Sequence, residues 1–428
     1  MAEQQRYLVA LSADAMVDAD LEYAFTLPHF RELRDRGSYV RQVESIYPSV
    51  TYPAHVTMAT GCWPEKTGIW SNEQLQPGVL HPQWHWFHDI VQCEDIFDAA
   101  KKAGLKTAAV FWPVNGNHPS IDYLVDEYWP QGEDDTKEAC LKRSGTSDQV
   151  YRECVLPFSR DVTIRTHPFT DEMVAKIGAE MIRRYQPNLL LMHPADIDGA
   201  RHSKGLFGEH VEKAIRDTDM YLGILMDAAK DAGIFEQTDF VLFSDHGQMN
   251  IERVMCLNVK LAERGLITGG EQIESWRAYV KSCGMSAHVY VKDKADEPEV
   301  YALFKELLEE EVYGFNELLT REEAKQRFRL DGDFSFVLET DGFTSFGDDW
   351  RRPLMRPFDR TDYRHGRATH GYMPHKGPQA VFLAAGPHVR QGVVIERGQL
   401  VQDAPTLAKM LGIELPHAQG TPFDELLK

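Results

Sequence analysis

The stretch Phe240-Val-Leu-Phe-Ser-Asp-His-Gly247 joins a short apolar run to a polar turn. The run lacks the alternation of a half-exposed strand, which is typical of strands buried on both faces of a parallel sheet. Similar runs occur at residues 7–11, 107–111, 189–192 and 380–384. Because helical stretches such as residues 170–185 separate them, the sequence predicts a doubly wound, mainly parallel α/β sheet flanked by helices.

The composition indicates a globular protein. The chain has 428 residues, 43% of them hydrophobic, and its 46 basic and 66 acidic side chains give a formal net charge of -20. This length accommodates one large α/β domain with insertions or two to three smaller domains, and the composition excludes disordered and fibrous classes. Such a negative charge repels a phosphate backbone, which argues against a nucleic-acid polymer as the partner.

The sequence contains no run approaching the roughly 18 apolar residues of a membrane-spanning helix. The apolar run at residues 7–11 is too short for the core of a signal peptide. We therefore expect no membrane association and a cytoplasmic location, or secretion if a leader has been removed. The six cysteines include no Cys-x-x-Cys pair, which favours reduced, isolated thiols.

Two regions interrupt the alternation of strands and helices. Residues 115–165 are rich in Gly, Asp, Glu and Trp, and residues 256–350 contain predicted helices at 297–310 and 321–328 and a strand at 287–291. The sequence predicts a catalytic domain over 1–255 and 351–428 with an insertion at about 115–165, and an inserted α+β cap over 256–350. Insertions at strand ends commonly form lids, so we expect them to govern substrate choice.

Acidic and imidazole side chains follow several of the predicted strands. Asp14 follows residues 7–11, Asp198 and His202 follow residues 189–192, and Asp245 and His246 follow residues 240–243. The ligand crevice of an open α/β sheet lies at the carboxyl ends of its strands, so these groups should converge there. A single Asp after a strand is usually a cap or turn residue, but three in one chain indicate a site.

The spacing of these residues suits metal ligands. Asp198 and His202 are four residues apart, which places both on one face of a helical turn, although solvated helices show the same spacing. Gly247 lets the backbone turn so that Asp245 and His246 can face one metal.

His370 could complete a second metal site, because it precedes the strand at residues 380–384. A single His in such a place is more often structural. His375 is an alternative to His370, and Asp196 is an alternative to Asp198.

Residues 47–61 predict a turn that leads into a helix beginning near Pro53. A hydroxyl group at Thr51 would then lie among free N–H groups that can bind an anionic oxygen. The alternative is that Thr51 only caps the helix.

Together these residues form a familiar pattern. Its elements are Asp14, Ser49-Val-Thr51-Tyr-Pro-Ala-His55, Thr60-Gly61-x-x-Pro64-Glu65-x-x-Gly68-Ile69, Asn72, Asp198-x-x-x-His202, Ser244-Asp245-His246-Gly247 and His370-Gly371-Tyr372. Over about residues 7 to 420 the chain resembles the alkaline phosphatase superfamily, and more closely its nucleotide pyrophosphatase/phosphodiesterase family, the type I phosphodiesterases. The two predicted insertions match this family poorly.

The resemblance implies a site for two zinc ions, with other divalent ions such as Mn²⁺ as alternatives. The implied ligands are Asp14, Thr51, Asp245 and His246 for the first ion, and Asp198, His202 and His370 for the second. The mixture of imidazole and carboxylate suits zinc.

The resemblance also implies the catalytic groups. Thr51 would be the nucleophile that forms a phosphothreonyl intermediate, and Asn72, with a backbone N–H near Thr51, would donate to a nonbridging oxygen. The alternative for Asn72 is a turn residue.

Some features bear on the substrate. Residues 42–100 contain no Arg and only one Lys, Lys66, which favours a phosphodiester over a phosphomonoester dianion. The resemblance places Tyr52 against a nucleobase or another flat group, and Trp112 near the substrate pocket. Core packing explains either aromatic residue equally well.

We therefore predict a metal-dependent phosphodiesterase or nucleotide pyrophosphatase that acts on a small phosphodiester or nucleotide-like substrate. The alternative is a phosphomonoesterase or a phosphonate hydrolase resembling phosphonoacetate hydrolase, which needs an extra cation that only the insertions could supply. The nucleophile segment lacks the signatures of a sulfatase or of a cofactor-independent phosphomutase. A non-catalytic metal-binding descendant would have lost a ligand, and none is lost here. The sequence leaves the oligomeric state open.

Overall fold

A computed structural model describes residues 5–79 and 81–428. An eight-stranded sheet forms its centre. In chain order its strands are β1 (Tyr7–Ser12), β2 (Ser38–Glu44), β3 (Thr107–Val110), β4 (Tyr123–Val125), β5 (Leu189–Met192), β6 (Thr238–Phe243), β7 (Ala380–Ala385) and β8 (Val394–Gln399). Across the sheet the order is β8-β2-β7-β6-β1-β5-β3-β4. Only β7 among them pairs antiparallel with its neighbours, so the predicted mainly parallel sheet is confirmed.

Helices cover both faces of the sheet. They are α1 (Pro28–Arg36), α2 (Thr51–Thr60), α3 (Ile96–Lys102), α4 (Phe169–Tyr185), α5 (Asp196–Lys204), α6 (Glu209–Asp231) and α7 (Asp403–Leu411). The buried side chains of α1, α4 and α6 form one core cluster with one face of the sheet, and those of α2, α3 and α7 form another with the opposite face. In α6 the buried Val211, Ile215, Leu222 and Leu225 recur at helical spacing, which explains how this helix packs.

The sequence did not predict three strands of the central sheet. β2 is an interior strand with an irregular burial pattern, and β8 is an edge strand with mostly exposed residues, so neither has a continuous apolar run. β4 has only three residues and lies within residues 115–165, so part of this predicted insertion belongs to the main sheet. β7 was expected to be parallel but is antiparallel, because an apolar run does not encode strand direction.

A smaller antiparallel sheet lies within residues 256–350. Its strands, in spatial order, are Ala278–Ser282, Ser286–Val291, Phe336–Thr340 and Phe315–Thr320. The helices Glu297–Glu309 and Arg321–Phe328 agree with the predicted ranges to within one residue. This sheet has its own buried cluster, but the domain boundaries at 255 and 351 stay a prediction.

The remaining elements are short. The strands are Met249–Asn250, Arg253–Met255, Ile267–Gly269, Ile273–Trp276, Thr344–Phe346, Met355–Arg356 and Ala368–Thr369. The helices are Leu21–Ala24, Pro64–Thr67, Lys137–Arg143, Asp148–Val150, Leu156–Ser159 and Asn258–Glu263, with a π-helix at Tyr151–Val155. In the described ranges, none of the helices combines the length and apolar character that crossing a bilayer requires.

Candidate active site

The predicted metal ligands meet at the edge of the central sheet where its parallel strands end. Asp14 follows β1, and Asp245 and His246 follow β6. Asp198 lies in α5, which begins shortly after β5. Because β7 is antiparallel to β6, its first residue lies at this same edge, and the segment before it carries His370 there.

The first group of ligands consists of Asp14, Asp245 and His246, all buried. His246 Nε2 lies 3.1 Å from Asp245 Oδ2 and 3.6 Å from Asp14 Oδ1. The Thr51 hydroxyl oxygen lies 3.2 Å from the same His246 nitrogen. The structure therefore brings together the four residues that were predicted to hold the first ion.

The second group consists of Asp198, His202 and His370. Asp198 Oδ2 lies 3.1 Å from His202 Nε2 across one turn of α5, which is the shared helical face that the sequence predicted. The His370 ring centroid lies 5.2 Å from that of His202 and 4.1 Å from that of His246. The two groups are therefore neighbours and could act on one bound phosphoryl group.

The chemistry of both groups fits zinc. Ligand atoms held by one tetrahedral zinc at about 2.0 to 2.1 Å lie roughly 3.3 Å from one another, close to the separations in both groups. Within the described residues, Asp14 Oδ1, Asp245 Oδ2 and His202 Nε2 are buried without a hydrogen-bond partner. Buried polar atoms without partners cost free energy, so a site that collects them points to a cation.

The pKa values of the ligand side chains also fit a site for a cation. Burial, reinforced by neighbouring carboxylates, raises the pKa of Asp14 to about 6 and that of Asp245 to about 7. Burial lowers the pKa of His370 well below its usual value, which keeps the imidazole neutral and able to bind a metal. A divalent cation would restore the ionised form of the two carboxylates.

Neighbouring groups orient the ligands. His193 Nε2 lies 2.9 Å from Asp14 Oδ2, and the Gln248 amide donates to Asp198 Oδ1 at 2.5 Å. The His202 Nδ1 atom lies 2.7 Å from the carbonyl oxygen of Ala368, which leaves Nε2 facing the site. His193 was not predicted from the sequence, although it follows β5 directly and shows the same signal as the other ligands.

The nucleophile candidate lies at the start of α2. This helix begins at Thr51 rather than near Pro53, and its N-cap residue is Val50, so Thr51 is not the cap. The Asn72 side-chain oxygen accepts a hydrogen bond from the Tyr52 N–H at 2.9 Å. Asn72 therefore keeps its NH₂ group for another acceptor, whereas the Tyr52 N–H is already used.

One glycine is required by a close backbone approach. A Cβ atom at Gly247 would lie 2.3 Å from the carbonyl oxygen of Pro378. Only glycine allows the chain after Asp245 and His246 to pass this point. Gly247 is thus required in the turn after β6 by close packing as well as by its conformational freedom.

The alternative ligands do not join the groups. His375 is exposed and lines a separate cavity, and Asp196 is not part of either group within the described residues. Among these choices, the structure favours His370 and Asp198.

Tyr52 and Trp112 are both fully buried in this structure, so their predicted contact with the substrate stays a prediction. Trp112 packs edge-to-face against His55, with ring centroids 4.8 Å apart, and belongs to the core beneath α2. Tyr52 packs edge-to-face against Trp84 at 4.9 Å. The aromatic residue type does not reveal burial, and Trp84 lines the site instead.

A further cluster of His and Asp side chains contains His88, Asp95, Asp98 and His118. Its atoms are already engaged. Asp95 caps α3, and the Ser120 N–H donates to His118 Nδ1 at 3.0 Å. The proton of His118 then lies on Nε2, 3.0 Å from Asp95 Oδ2, so this cluster is a capping network.

An inner cavity of about 80 Å³ contains Thr51 and residues of both ligand groups. Its wall also includes Trp84, Glu127, Arg165 and Tyr363. None of these four residues was predicted from the sequence, because they come from loops and carry no periodic signal. Glu127 follows β4, but a strand of three residues is too short to be recognised.

A buried ion-pair cluster lies beside this cavity and consists of Glu73, Lys281, Asp348 and Arg364. The Lys281 Nζ atom donates to Glu73 at 2.5 Å and to Asp348 at 2.6 Å, and Arg364 Nη1 donates to the same two carboxylates. Burial alone would lower the pKa of Lys281, but the Asp348 and Glu73 carboxylates raise it. Lys281 and Asp348 come from the 256–350 region, and Glu73 and Arg364 come from the rest of the chain. The cluster therefore links this region to the part of the protein that carries the site.

The sheet order and the two ligand groups at its carboxyl edge define an alkaline-phosphatase-like α/β protein. Its sequence matches the type I phosphodiesterase / nucleotide pyrophosphatase family over residues 8–373. The chain therefore belongs to this family.

Known proteins support the assignment. Ectonucleotide pyrophosphatase/phosphodiesterase family member 1 of Rattus norvegicus is 24% identical over 251 residues, which cover 55% of this chain and 23% of that protein. Venom phosphodiesterase 2 of Crotalus adamanteus is 24% identical over 270 residues, covering 59% and 28%. The aligned region thus spans about a quarter of these relatives.

Solved structures share the fold. Murine ectonucleotide pyrophosphatase/phosphodiesterase 5 has a TM-score of 0.71 at 20% identity, over 99% of this chain and 100% of that chain. An inactive variant of the same murine protein, in complex with AMP, has a TM-score of 0.69 at 20% identity over the same shares.

Proposed function

We propose that this protein is a two-zinc phosphodiesterase or nucleotide pyrophosphatase that uses Thr51 as its nucleophile. The observation that carries the proposal is the position of the Thr51 hydroxyl at the start of α2, 3.2 Å from His246 and in a cavity that residues of both ligand groups line. Family membership supports hydrolysis of a phosphodiester or phosphoanhydride bond. It does not favour the phosphomonoesterase or phosphonate hydrolase alternative.

Each of the residues at the site has a separate role in the proposed reaction. Thr51 Oγ1 attacks phosphorus and forms a phosphothreonyl ester while the leaving oxygen departs, and water then cleaves that ester. The Asn72 NH₂ group donates to a nonbridging oxygen, where charge develops in the transition state. Bound zinc would supply Lewis acidity to the hydroxyl and the leaving oxygen. His193 holds the Asp14 carboxylate in place.

A nucleotide-type substrate is part of the proposal. The family name and the AMP complex of the murine relative support it. The cavity that contains Thr51 is where the phosphoryl group of this substrate would bind.

The test compares hydrolysis of bis-p-nitrophenyl phosphate and p-nitrophenyl phosphate by zinc-loaded protein, before and after chelation. We expect the diester to be the better substrate, and we expect chelation to stop its hydrolysis and added zinc to restore it. Preference for the monoester, or full activity in chelator, would contradict the proposal.

A further inference from the structure

Arg165 lies between two cavities. The inner cavity of about 80 Å³ contains Thr51, and an outer cavity of about 510 Å³ opens beside it. Trp84, Arg165 and Tyr363 line both. A substrate that extends from Thr51 into the outer cavity therefore passes Arg165.

Two tryptophans hold the Arg165 guanidinium. Its Cζ atom lies 5.1 Å from the ring centroid of Trp84 and 4.4 Å from that of Trp129. The two rings are nearly perpendicular, at 83°, and form a corner against which the guanidinium packs. Aromatic contacts restrain the planar group without using its N–H donors, which stay available for an anion.

Among the described residues, Arg165 has no anionic partner. It makes neither a hydrogen bond nor an ion pair with any residue in ranges 5–79 and 81–428. Arg364 also lines the outer cavity, but Glu73 and Asp348 accept from its guanidinium. The chain has 66 acidic and 46 basic side chains, and Arg165 lines the cavity that contains Thr51 without an ion pair to any described residue.

The backbone of Arg165 is strained, with φ at +69°. Residues other than glycine rarely adopt this left-handed conformation, and such strain is concentrated at functional sites. The adjacent segment is anchored, because Ile164 is buried and the Thr166 N–H donates to Thr170 Oγ1 at 3.1 Å. The surrounding structure thus maintains a conformation that places Arg165 at the cavity mouth.

We propose that Arg165 binds a second anionic group, a carboxylate or a phosphate, which the substrate carries away from the scissile phosphorus. This inference rests on the proposed function of the site. The guanidinium edge can donate two parallel hydrogen bonds to either anion. Glu127 lines the inner cavity as well, and its carboxylate lies 3.7 Å from His193 Nδ1. Arg165 belongs to the 115–165 region, which the sequence expected to govern substrate choice.

The test uses two diesters with the same three-carbon chain, p-nitrophenyl 2-carboxyethyl phosphate, which ends in a carboxylate, and p-nitrophenyl propyl phosphate, which does not, with zinc-loaded protein. We expect Arg165→Gln to lower kcat/KM for the carboxyethyl ester about 10- to 100-fold more than kcat/KM for the propyl ester, the range of a hydrogen bond to a charged group. Arg165→Lys, which keeps the charge without the planar fork, should fall between. A p-nitrophenyl 2-phosphoethyl phosphate arm then separates phosphate from carboxylate preference.

Arg143→Gln is the matched control. Arg143 also packs against an aromatic ring, Tyr128, at 5.2 Å, but Asp135 accepts from its guanidinium and it does not line either cavity. Arg143→Gln should leave kcat/KM for both esters unchanged. An equal loss of kcat/KM for both esters in Arg165→Gln would overturn the assignment. So would a wild-type protein that does not prefer the carboxyethyl ester to the propyl ester.

A binding measurement separates this inference from the proposed function. Calorimetric titration of zinc-loaded protein with methyl 2-carboxyethyl phosphate and methyl propyl phosphate reports on Arg165 without turnover. Tighter binding of the carboxyethyl ester that Arg165→Gln removes, with no hydrolysis of any ester, would retain the anion site and reject the hydrolase. Hydrolysis of both esters with equal binding would retain the hydrolase and reject the anion site.

Discussion

Tyr363 lies between two clusters of buried charge. On one side are the two ligand groups, and the His370 ring centroid is 6.2 Å from that of Tyr363. On the other side is the ion-pair cluster, where the Tyr363 hydroxyl donates to Glu73 at 3.2 Å. Both clusters are removed from water, yet only the ion-pair cluster pairs each of its carboxylates with cationic side chains of the chain.

The difference indicates what each cluster is for. The ion-pair cluster is complete without a ligand, and it holds the 256–350 region against the site. The ligand groups contain buried oxygen and nitrogen atoms without protein partners, which is costly unless a cation binds. Burial of charge alone therefore does not identify a functional site, whereas several unpaired ligand atoms gathered in one place point to a bound cation.

The largest expected effect comes from removing the nucleophile while leaving the charges intact. Thr51→Ala should reduce diester hydrolysis by at least about 10³-fold, because no other hydroxyl takes its place beside His246. Zinc content, measured by mass spectrometry, should stay near that of the wild-type protein. Thr51→Ser is the control and should keep part of the activity, and wild-type rates in Thr51→Ala would refute the covalent mechanism.

The second largest effect on activity is expected from removing the carboxylate of Asp245, which has no hydrogen-bond partner for Oδ2 among the described residues. Asp245→Asn should lose zinc and activity together, with activity falling at least about 10²-fold, since a ligand and its charge are gone. The metal-free variant should be no less stable to urea than the metal-free wild-type protein, because the amide replaces a buried carboxylate that has no cationic partner. A large loss of metal-free stability would show that the protein itself compensates Asp245.

In the ion-pair cluster we expect a substitution to lower stability without changing zinc content. Lys281→Met should lower the free energy of unfolding by about 3 to 5 kcal/mol, because it leaves Glu73 and Asp348 buried with less compensation. Urea denaturation measures this loss, and zinc content per folded molecule should not change. Glu73→Gln added to Lys281→Met should recover part of the stability, and a single-variant loss below about 1 kcal/mol would contradict the comparison.

The smallest effect is expected at the residue that joins the clusters. Tyr363→Phe removes the hydrogen bond to Glu73 but keeps the ring between Trp84 and His370. We expect the free energy of unfolding to fall by about 1 kcal/mol with unchanged zinc content. Loss of zinc in this variant would mean that the two clusters are coupled and that the contrast between them is too simple.

Much of the site followed from the sequence because of one physical rule. Parallel strands end at a common edge, so the positions of Asp14, Asp198 and Asp245 after apolar runs were enough to predict that they meet. The same rule applies to His193, which was not predicted. It does not extend to Trp84, Arg165 or the ion-pair cluster, which do not follow strands of the central sheet and whose members lie far apart in the chain.

The differences between prediction and structure have equally plain causes. Tyr52 and Trp112 are buried here, and because aromatic residues serve cores and pockets alike, their residue type does not decide between the two roles. β2 and β8 were not predicted because an irregularly buried strand and an exposed edge strand lack an apolar run. The direction of β7 depends on its neighbours rather than on its own residues.

The sequence alone determined the fold class, the family and the identity of the residues that gather at the sheet edge, because strand-length apolar runs and short motifs are local properties of the chain. Only the tertiary structure decided which polar atoms stay unpaired, which aromatic residues face the cavity and where Arg165 lies. These depend on contacts between segments hundreds of residues apart, as when Lys281 meets Glu73, and no local pattern encodes them. Uncompensated burial, which distinguishes the metal site, exists only once the chain has packed.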